Sequence, residues 1–196
     1  MFGYSEAKLK TYLKMATQRI RLSNNKIENE CKRLKRQIAD LLQKPQKEEE
    51  KARIKCEHLI RGDHTVAAHN ILDLYCEALV ARIKLVSSMK KCPEDLLQAV
   101  STIIYCSTRV DIPELKKIRQ MLKNKYGKAM IQQATNNDGF HVNVKVIEKL
   151  TVSQPRAGMV RNYLKDIAKE YQFEYDPQDD ADPMDVNEAP TGRDVN

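Results

Sequence analysis

The chain has no tryptophan, six glycines, seven prolines and 6% aromatic residues in 196 positions. Punctuation this sparse excludes a sandwich or barrel of short strands, which needs a turn signal every ~8–12 residues. No apolar run approaches the ~20 residues that span a bilayer, and the mean hydropathy is −0.61. The opening residues, MFGYSEAKLK, hold no apolar stretch of the secretory kind, and no Asn-x-Ser/Thr acceptor occurs. Five cysteines, at 31, 56, 76, 92 and 106, make an odd, scattered set that reads as reduced and mostly buried thiols. The expectation is a soluble, intracellular, all-α protein.

Chemical motifs are missing as well. No GxxxxGK[ST], GxGxxG, HExxH, GxSxG or CxxC is present. Cys56 and His58 stand two apart, which on a helix points them about 200° from each other, and His64 and His69 are five apart. Neither pair chelates one ion. Cys76 lies in an apolar stretch and reads as core rather than nucleophile. Glu57, Asp73 and Glu77 could form a carboxylate cluster, but solvated or ion-paired helix positions are the commoner arrangement. No enzyme activity, cofactor or metal is expected.

What the chain does have is charge, unevenly placed. Its formal net charge is +7, but residues 174–196 hold eight acids and one base, a net −7, so residues 1–173 carry +14. A basic body implies a polyanionic partner, a nucleic acid or an anionic membrane surface, unless the charge serves solubility alone. The tail has three prolines, no Leu and no Ile, and is expected to be disordered.

The body reads as two long helices followed by shorter ones. Leu9, Leu13, Ala16, Ile20, Ser23, Ile27, Cys31, Leu34, Ile38 and Leu41 recur in nine steps over 32 residues, a helical period. Neither Gly nor Pro interrupts residues 5–44, and Pro45 stops the pattern, implying an αα-hairpin with a second helix over 46–91. Up to about residue 65 the second helix has one sparse stripe, Ala52, Cys56 and Leu59. Beyond it run two stripes, Ala67–Ile71–Leu74–Ala78–Ala81–Leu85 and Ala68–Leu72–Tyr75–Leu79–Ile83–Val86. Two stripes predict cover on two sides, hence the centre of a bundle, with the hairpin tip a bare two-helix rod. Further helices are expected over residues 94–106, 113–134, 143–150 and 156–171, although Val142, Val144 and Val146 alternate as a strand would. Asp111 is the expected N-cap of the second of these helices, with Glu114 completing a capping box.

The basic face of the first helix is the candidate site. At ~100° per residue, Lys10, Lys14, Arg21, Lys32, Lys35 and Arg36 fall on one flank of the apolar stripe. Lys8, Arg19, Lys26 and Arg33 line the other flank, diluted by Glu30 and Asp40. Such a row can lie on anionic headgroups, each base contributing ~1 kcal/mol. A nucleic-acid reading fits the charge but lacks aromatics interleaved with the bases. Phe2 and Tyr4 could wedge into a bilayer interface or make a local packing contact.

Several stretches carry a family resemblance: residues 52–60 (ARIKCEHLI) running into Arg61-Gly62-Asp63, 71–86 (ILDLYCEALVARIKLV), 100–105 (VSTIIY) and 113–115 (PEL). They continue with 125–128 (KYGK), 149–152 (KLTV) and 163–175 (YLKDIAKEYQFEY) before Asp176-Pro177. In this order they resemble the increased-sodium-tolerance protein family, an ESCRT-III-like regulator of vacuolar protein sorting. The resemblance implies an ESCRT-III-like core over residues 1–173 and an acidic tail over 174–196. It implies a scaffold that co-assembles, as a hetero- or homo-polymer, with charged multivesicular body (ESCRT-III) subunits on anionic membranes. Through them, or directly, the family regulates the AAA ATPase of vacuolar protein sorting, in multivesicular body sorting, endosomal tubule fission and cytokinetic abscission. The implied location is cytoplasmic, peripheral to endosomal membranes, with the midbody and nuclear envelope as further sites; no nucleic acid is implied. A non-polymerising adaptor of the ATPase is the other reading. The family core can close by folding a late helix on the hairpin tip, here residues 143–150 or the helix after them. The chain departs from the family pattern at Gly62, where relatives tend to have an acid and where the rod could bend, and in a tail without Leu-containing docking motifs.

Overall fold

Eight helices run through residues 3–44, 48–151 and 153–176, which are the residues described by the computed structural model. They are α1 (Glu6–Gln43), α2 (Glu49–Ala81), α3 (Ile83–Ser88), α4 (Glu94–Cys106), α5 (Pro113–Tyr126), α6 (Lys128–Asn136), α7 (Val144–Leu150) and α8 (Ala157–Glu170). No strand occurs among the described residues. Pro45 and residues 177–196 lie outside them, so the hairpin stop and most of the expected disordered tail do too.

The chain divides into two compact units, Met1–Cys31 with Arg61–Val152, and Lys32–Ile60 with Ser153–Asn196. In the first unit, Leu9, Leu13, Ala16 and Ile20 of α1 are fully buried and join Leu72, Leu79, Ile83 and Val86. The periodicity of α1 is thus the periodicity of its buried face. Ile103 and Ile104 of α4, Leu115 and Leu122 of α5, and Ile131 of α6 complete the same core.

Local chemistry sets the ends of these helices. Acidic Glu94 and Asp95 occupy the first turn of α4, where the helix dipole favours negative charge. Pro113 begins α5, where its missing N–H costs nothing. Asn143 caps α7 by accepting from the N–H groups of Lys145 and Val146. Asn137, left-handed at φ 60°, ends α6, and the Asp138 N–H returns to the Gln133 carbonyl at 3.0 Å.

Four expectations about helix ends and stripes are corrected first. The second helix does not run unbroken to residue 91: it deviates at Arg82 (φ −109°, ψ 25°), although Arg82 N–H still donates to Ala78 O, and it ends at Ser88. The helix expected over 113–134 breaks at Gly127, whose φ of 89° is a conformation L residues rarely adopt. Ile112, not Asp111, holds the N-cap position of α5 and its apolar side chain cannot cap, while Glu114 pairs with Arg19 rather than completing a capping box. Only one of the two stripes on the later part of α2 is core. Leu72, Leu79, Ile83 and Val86 are buried, whereas Leu74 is 64% exposed and Ala81 and Leu85 are exposed.

In the second unit the hairpin tip is not a bare rod. Leu34, Ile38, Leu41 and Leu42 of α1 and Ala52, Cys56, Leu59 and Ile60 of α2 are buried there, as are Val160, Leu164, Ile167 and Ala168 of α8. The Cys56 thiol donates to the Val160 carbonyl at 3.7 Å, Gln154 donates to Glu57 at 3.1 Å, and Tyr175 donates to Glu49 at 2.6 Å. The sparse α2 stripe was thus half of an apolar seam that α8 covers. Of the two segments considered for this closing position, α8 takes it, while α7 belongs to the first unit.

Candidate functional site

The six basic residues of the candidate surface are all on α1, and the structure sorts them by what they touch. In the first unit, Lys10 and Lys14 are exposed. In the second, Lys32 and Arg36 are exposed. None of these four makes an ion pair or hydrogen bond with a described residue. Their charge is available to a partner.

Arg21 and Lys35 differ. Arg21 Nε lies 3.0 Å from Asp73 Oδ2, and its Nη2 donates to Glu77. These two carboxylates hold the guanidinium further into its charged form, Asp73 contributing more than Glu77. The pair Asp73–Glu77 is therefore an ion-pairing set, the commoner of the two arrangements open to it. Lys35 Nζ meets Glu170 Oε2 of α8 at 2.8 Å, inside the second unit. Each has an internal partner, and exposed pairs of this kind contribute little to stability.

On the other flank Arg19 is committed too. Its Nε lies 2.8 and 2.6 Å from the two carboxylate oxygens of Glu114. The Arg19 hydrogen bond holds the Glu114 carboxyl below the usual carboxylate range. Nothing in the local sequence signals this pair, because the partners are 95 residues apart.

Tyr4 makes a local packing contact. Its hydroxyl lies 2.6 Å from Ser87 Oγ, Lys125 sits 5.0 Å above its ring, and Lys125 Nζ donates to the Ser87 carbonyl. Phe2 lies outside the described residues. The thiols are free and four of five are buried; burial pushes Cys76 and Cys106 up to about 12 and Cys92 up to about 11, so none of these three is a ready nucleophile. Among the described residues no helix is long and apolar enough to cross a membrane, and no His, Cys, Asp and Glu cluster could hold a metal.

Sequence reasoning missed one buried polar set. His69 Nδ1 lies 2.8 Å from Asn24 Oδ1, and Asn24 Nδ2 donates to Asn70 Oδ1 at 2.9 Å. Asn24 and His69 are 7% and 3% exposed, locking α1 to α2 in register within the first unit. Asn24 falls between Ile20 and Ile27 on the apolar face, which is the signal that could have found it.

Comparisons with known proteins bear on the family and the fold. Residues 10–174 match the family model "Ist1: Regulator of Vps4 activity in the MVB pathway". An IST1-like protein of Dictyostelium discoideum is 36% identical over 179 residues, covering 89% of this chain and 48% of its own length. The vacuolar protein sorting-associated protein IST1 of Saccharomyces cerevisiae is 33% identical over 178 residues, covering 86% of this chain and 58% of its own. The chain thus spans about half the length of the curated relatives it matches. The crystal structure of the S. cerevisiae Ist1 N-terminal domain in complex with the Did2 MIM motif is similar in fold, with a TM-score of 0.80 and 32% identity. That similarity covers 90% of this chain and 96% of the solved one.

Proposed function

The chain belongs to the Ist1 family of regulators of Vps4 activity in the multivesicular body pathway, and we propose that it is an ESCRT-III-associated scaffold and regulator. It co-assembles with a charged multivesicular body protein on anionic membranes and modulates the AAA ATPase. In this reading residues 1–173 are the assembling core and 174–196 an acidic tail. It works in the cytoplasm at endosomal membranes, in sorting and tubule fission, and at the midbody and nuclear envelope in abscission. The yeast relative was solved with a Did2 MIM motif, which supports a partner of that class here.

The observation that carries the reading is the set of unpaired bases on α1. Lys10, Lys14, Lys32 and Arg36 are exposed and hold no internal carboxylate, unlike Arg19, Arg21 and Lys35. A surface retained for internal stability would be neutralised as those three are. A surface retained for a polyanionic membrane or an acidic neighbouring subunit would be left open.

Co-sedimentation with anionic vesicles, with and without a charged multivesicular body partner, followed by electron microscopy, tests it. Charge reversal at Lys10, Lys14, Lys32 and Arg36 should abolish assembly while leaving helical content unchanged. Absence of partner-dependent assembly in the unmodified chain would sink the reading. Salt-sensitive binding to DNA or RNA that needs no partner would favour a nucleic-acid module instead. Assembly lost with ATPase binding retained in the reversed variant would separate polymer from adaptor functions. Deleting residues 177–196 should strengthen membrane binding if the acidic tail screens α1.

A further inference from the structure

A second basic concavity lies between α5 and α6, within the first unit. Lys116, Arg119, Gln120 and Lys123 recur at i, i+3, i+4 and i+7 and share one face of α5. Lys128, Ile131, Gln132 and Thr135 repeat that spacing on α6. Gly127 turns one helix into the next, and α5 and α6 pack on each other. The two faces line a cavity of about 330 Å³, with buried Ile131 in its wall.

Its chemistry is one-sided. Four cations line it and no carboxylate does. Lys116, Lys123 and Lys128 are exposed and make no ion pair or hydrogen bond with a described residue. Arg119 Nη2 donates to Thr135 Oγ1 at 3.3 Å, yet its Nε is buried and has no acceptor. A buried donor without an acceptor is a costly arrangement, and an incoming oxyanion would satisfy it. Arg19 and Arg21, by contrast, each meet a carboxylate of their own fold.

We propose that this groove binds a multiply phosphorylated polyol, an inositol polyphosphate that is either free or the headgroup of a phosphoinositide. The cavity has small-ligand dimensions, which run roughly 300–1,000 Å³. Phosphate brings up to two charges and three acceptors in a compact group, matching lysine point charges beside an arginine fork. A carboxylate peptide brings one charge per side chain, spaced along the ~3.3–3.6 Å rise of an extended chain, and concentrates far less charge in this volume. The Gln120 and Gln132 amides add neutral donors suited to the hydroxyls of a polyol ring.

The test is calorimetric titration of the full chain with inositol hexakisphosphate, with inorganic phosphate as the simple-anion control. One-to-one binding is expected, weakened at least about tenfold in the double variant K116E/K123E, since each reversal replaces a cation beside the polyanion with an anion. K90E/K117E makes the same change in net charge outside the groove and should leave binding within about twofold. Arg119→Gln should weaken binding as well; should it unfold, the exposed lysine variants still carry the test. Pelleting with phosphoinositide vesicles over phosphatidylserine vesicles of equal charge, lost in K116E/K123E, assigns the lipid source. Capture of the soluble polyphosphate without that preference assigns the free one. The proposal is overturned if K116E/K123E binds as the unmodified chain does, or if reversal at Lys10 and Lys14 alone removes binding. It is also overturned if a peptide of residues 177–196 binds the groove more tightly than the phosphate.

Discussion

Arg19 Nε meets both carboxylate oxygens of Glu114, at 2.8 and 2.6 Å, and so ties α1 to the first turn of α5. Glu114 is 5% exposed, while Arg19 reaches it from a half-exposed position. Arg19→Ala should therefore destabilise the fold, chiefly by leaving a buried carboxylate without its donor. Glu114→Gln should cost less, because an amide oxygen still accepts. The pH sign follows from the depressed carboxyl. Its stabilising contribution is complete above the unfolded value, about 4.3, and is lost as pH falls through the folded one. Urea unfolding should show the unmodified chain losing stability below that pH more steeply than Glu114→Gln. Parallel profiles would mean that Glu114 is not a source of acid sensitivity.

Gly62 sits inside α2, where helix propensity alone favours alanine by about 1 kcal/mol. A Cβ added there would lie 2.7 Å from Cys31 Sγ and 3.3 Å from Ile27 Cγ2. The overpacking cost, typically about 1–3 kcal/mol, should exceed the propensity gain, so Gly62→Ala should lower the unfolding midpoint. Adding Cys31→Ala should restore part of the loss, a non-additivity expected only of residues in contact. A stabilised single variant would show that the helices have room to spare. Gly62 is thus a position where the two helices come close.

The two apolar stripes of α2 make a sharper pair of variants. Leu79→Ala removes a fully buried side chain and should cost about 2–5 kcal/mol. Leu74→Ala, at a 64% exposed position, should stay within about 0.5 kcal/mol in the isolated chain. Thermal unfolding of both distinguishes the stripes, and a large loss from Leu74→Ala would mean that the second stripe is covered in solution.

That contrast shows where the sequence was informative. A stripe on α1 needs only a 3.6-residue period, and Leu9, Leu13, Ala16 and Ile20 are all fully buried as the period requires. Two adjacent stripes on one helix have the same local signature whether one or both are covered, so Leu74 could not be told from Leu79. The break at Gly127 was hidden because Tyr126 and Met130 continue the apolar spacing of Leu115, Ile118 and Leu122 across it, and one glycine costs a helix only about 1 kcal/mol. The basic flank of α1 could be read from residue spacing alone. Its division into open and neutralised charges could not, since Asp73, Glu77, Glu114 and Glu170 come from distant sequence. The α5–α6 groove depends on the turn at Gly127 and was invisible for the same reason.

His69 supplies the last prediction. Its ring is 3% exposed and offers Nδ1 to Asn24, and burial lowers its affinity for a proton. His64, on the same helix, is shifted the same way by burial and then by Lys149. For a histidine depressed in the fold, stability is complete above the unfolded value of about 6.5 and declines as pH falls toward the folded one. The slope reaches at most about 1.4 kcal/mol per pH unit for each histidine. His69→Asn keeps a donor near the Nδ1 position and removes the titration, so it should flatten the loss between pH 6.5 and 5 without abolishing the fold. His64→Gln should flatten it further. If the double variant declines as steeply as the unmodified chain, the acid sensitivity in that window comes from neither ring, and the buried link from His69 to Asn24 would be purely a register device between α1 and α2.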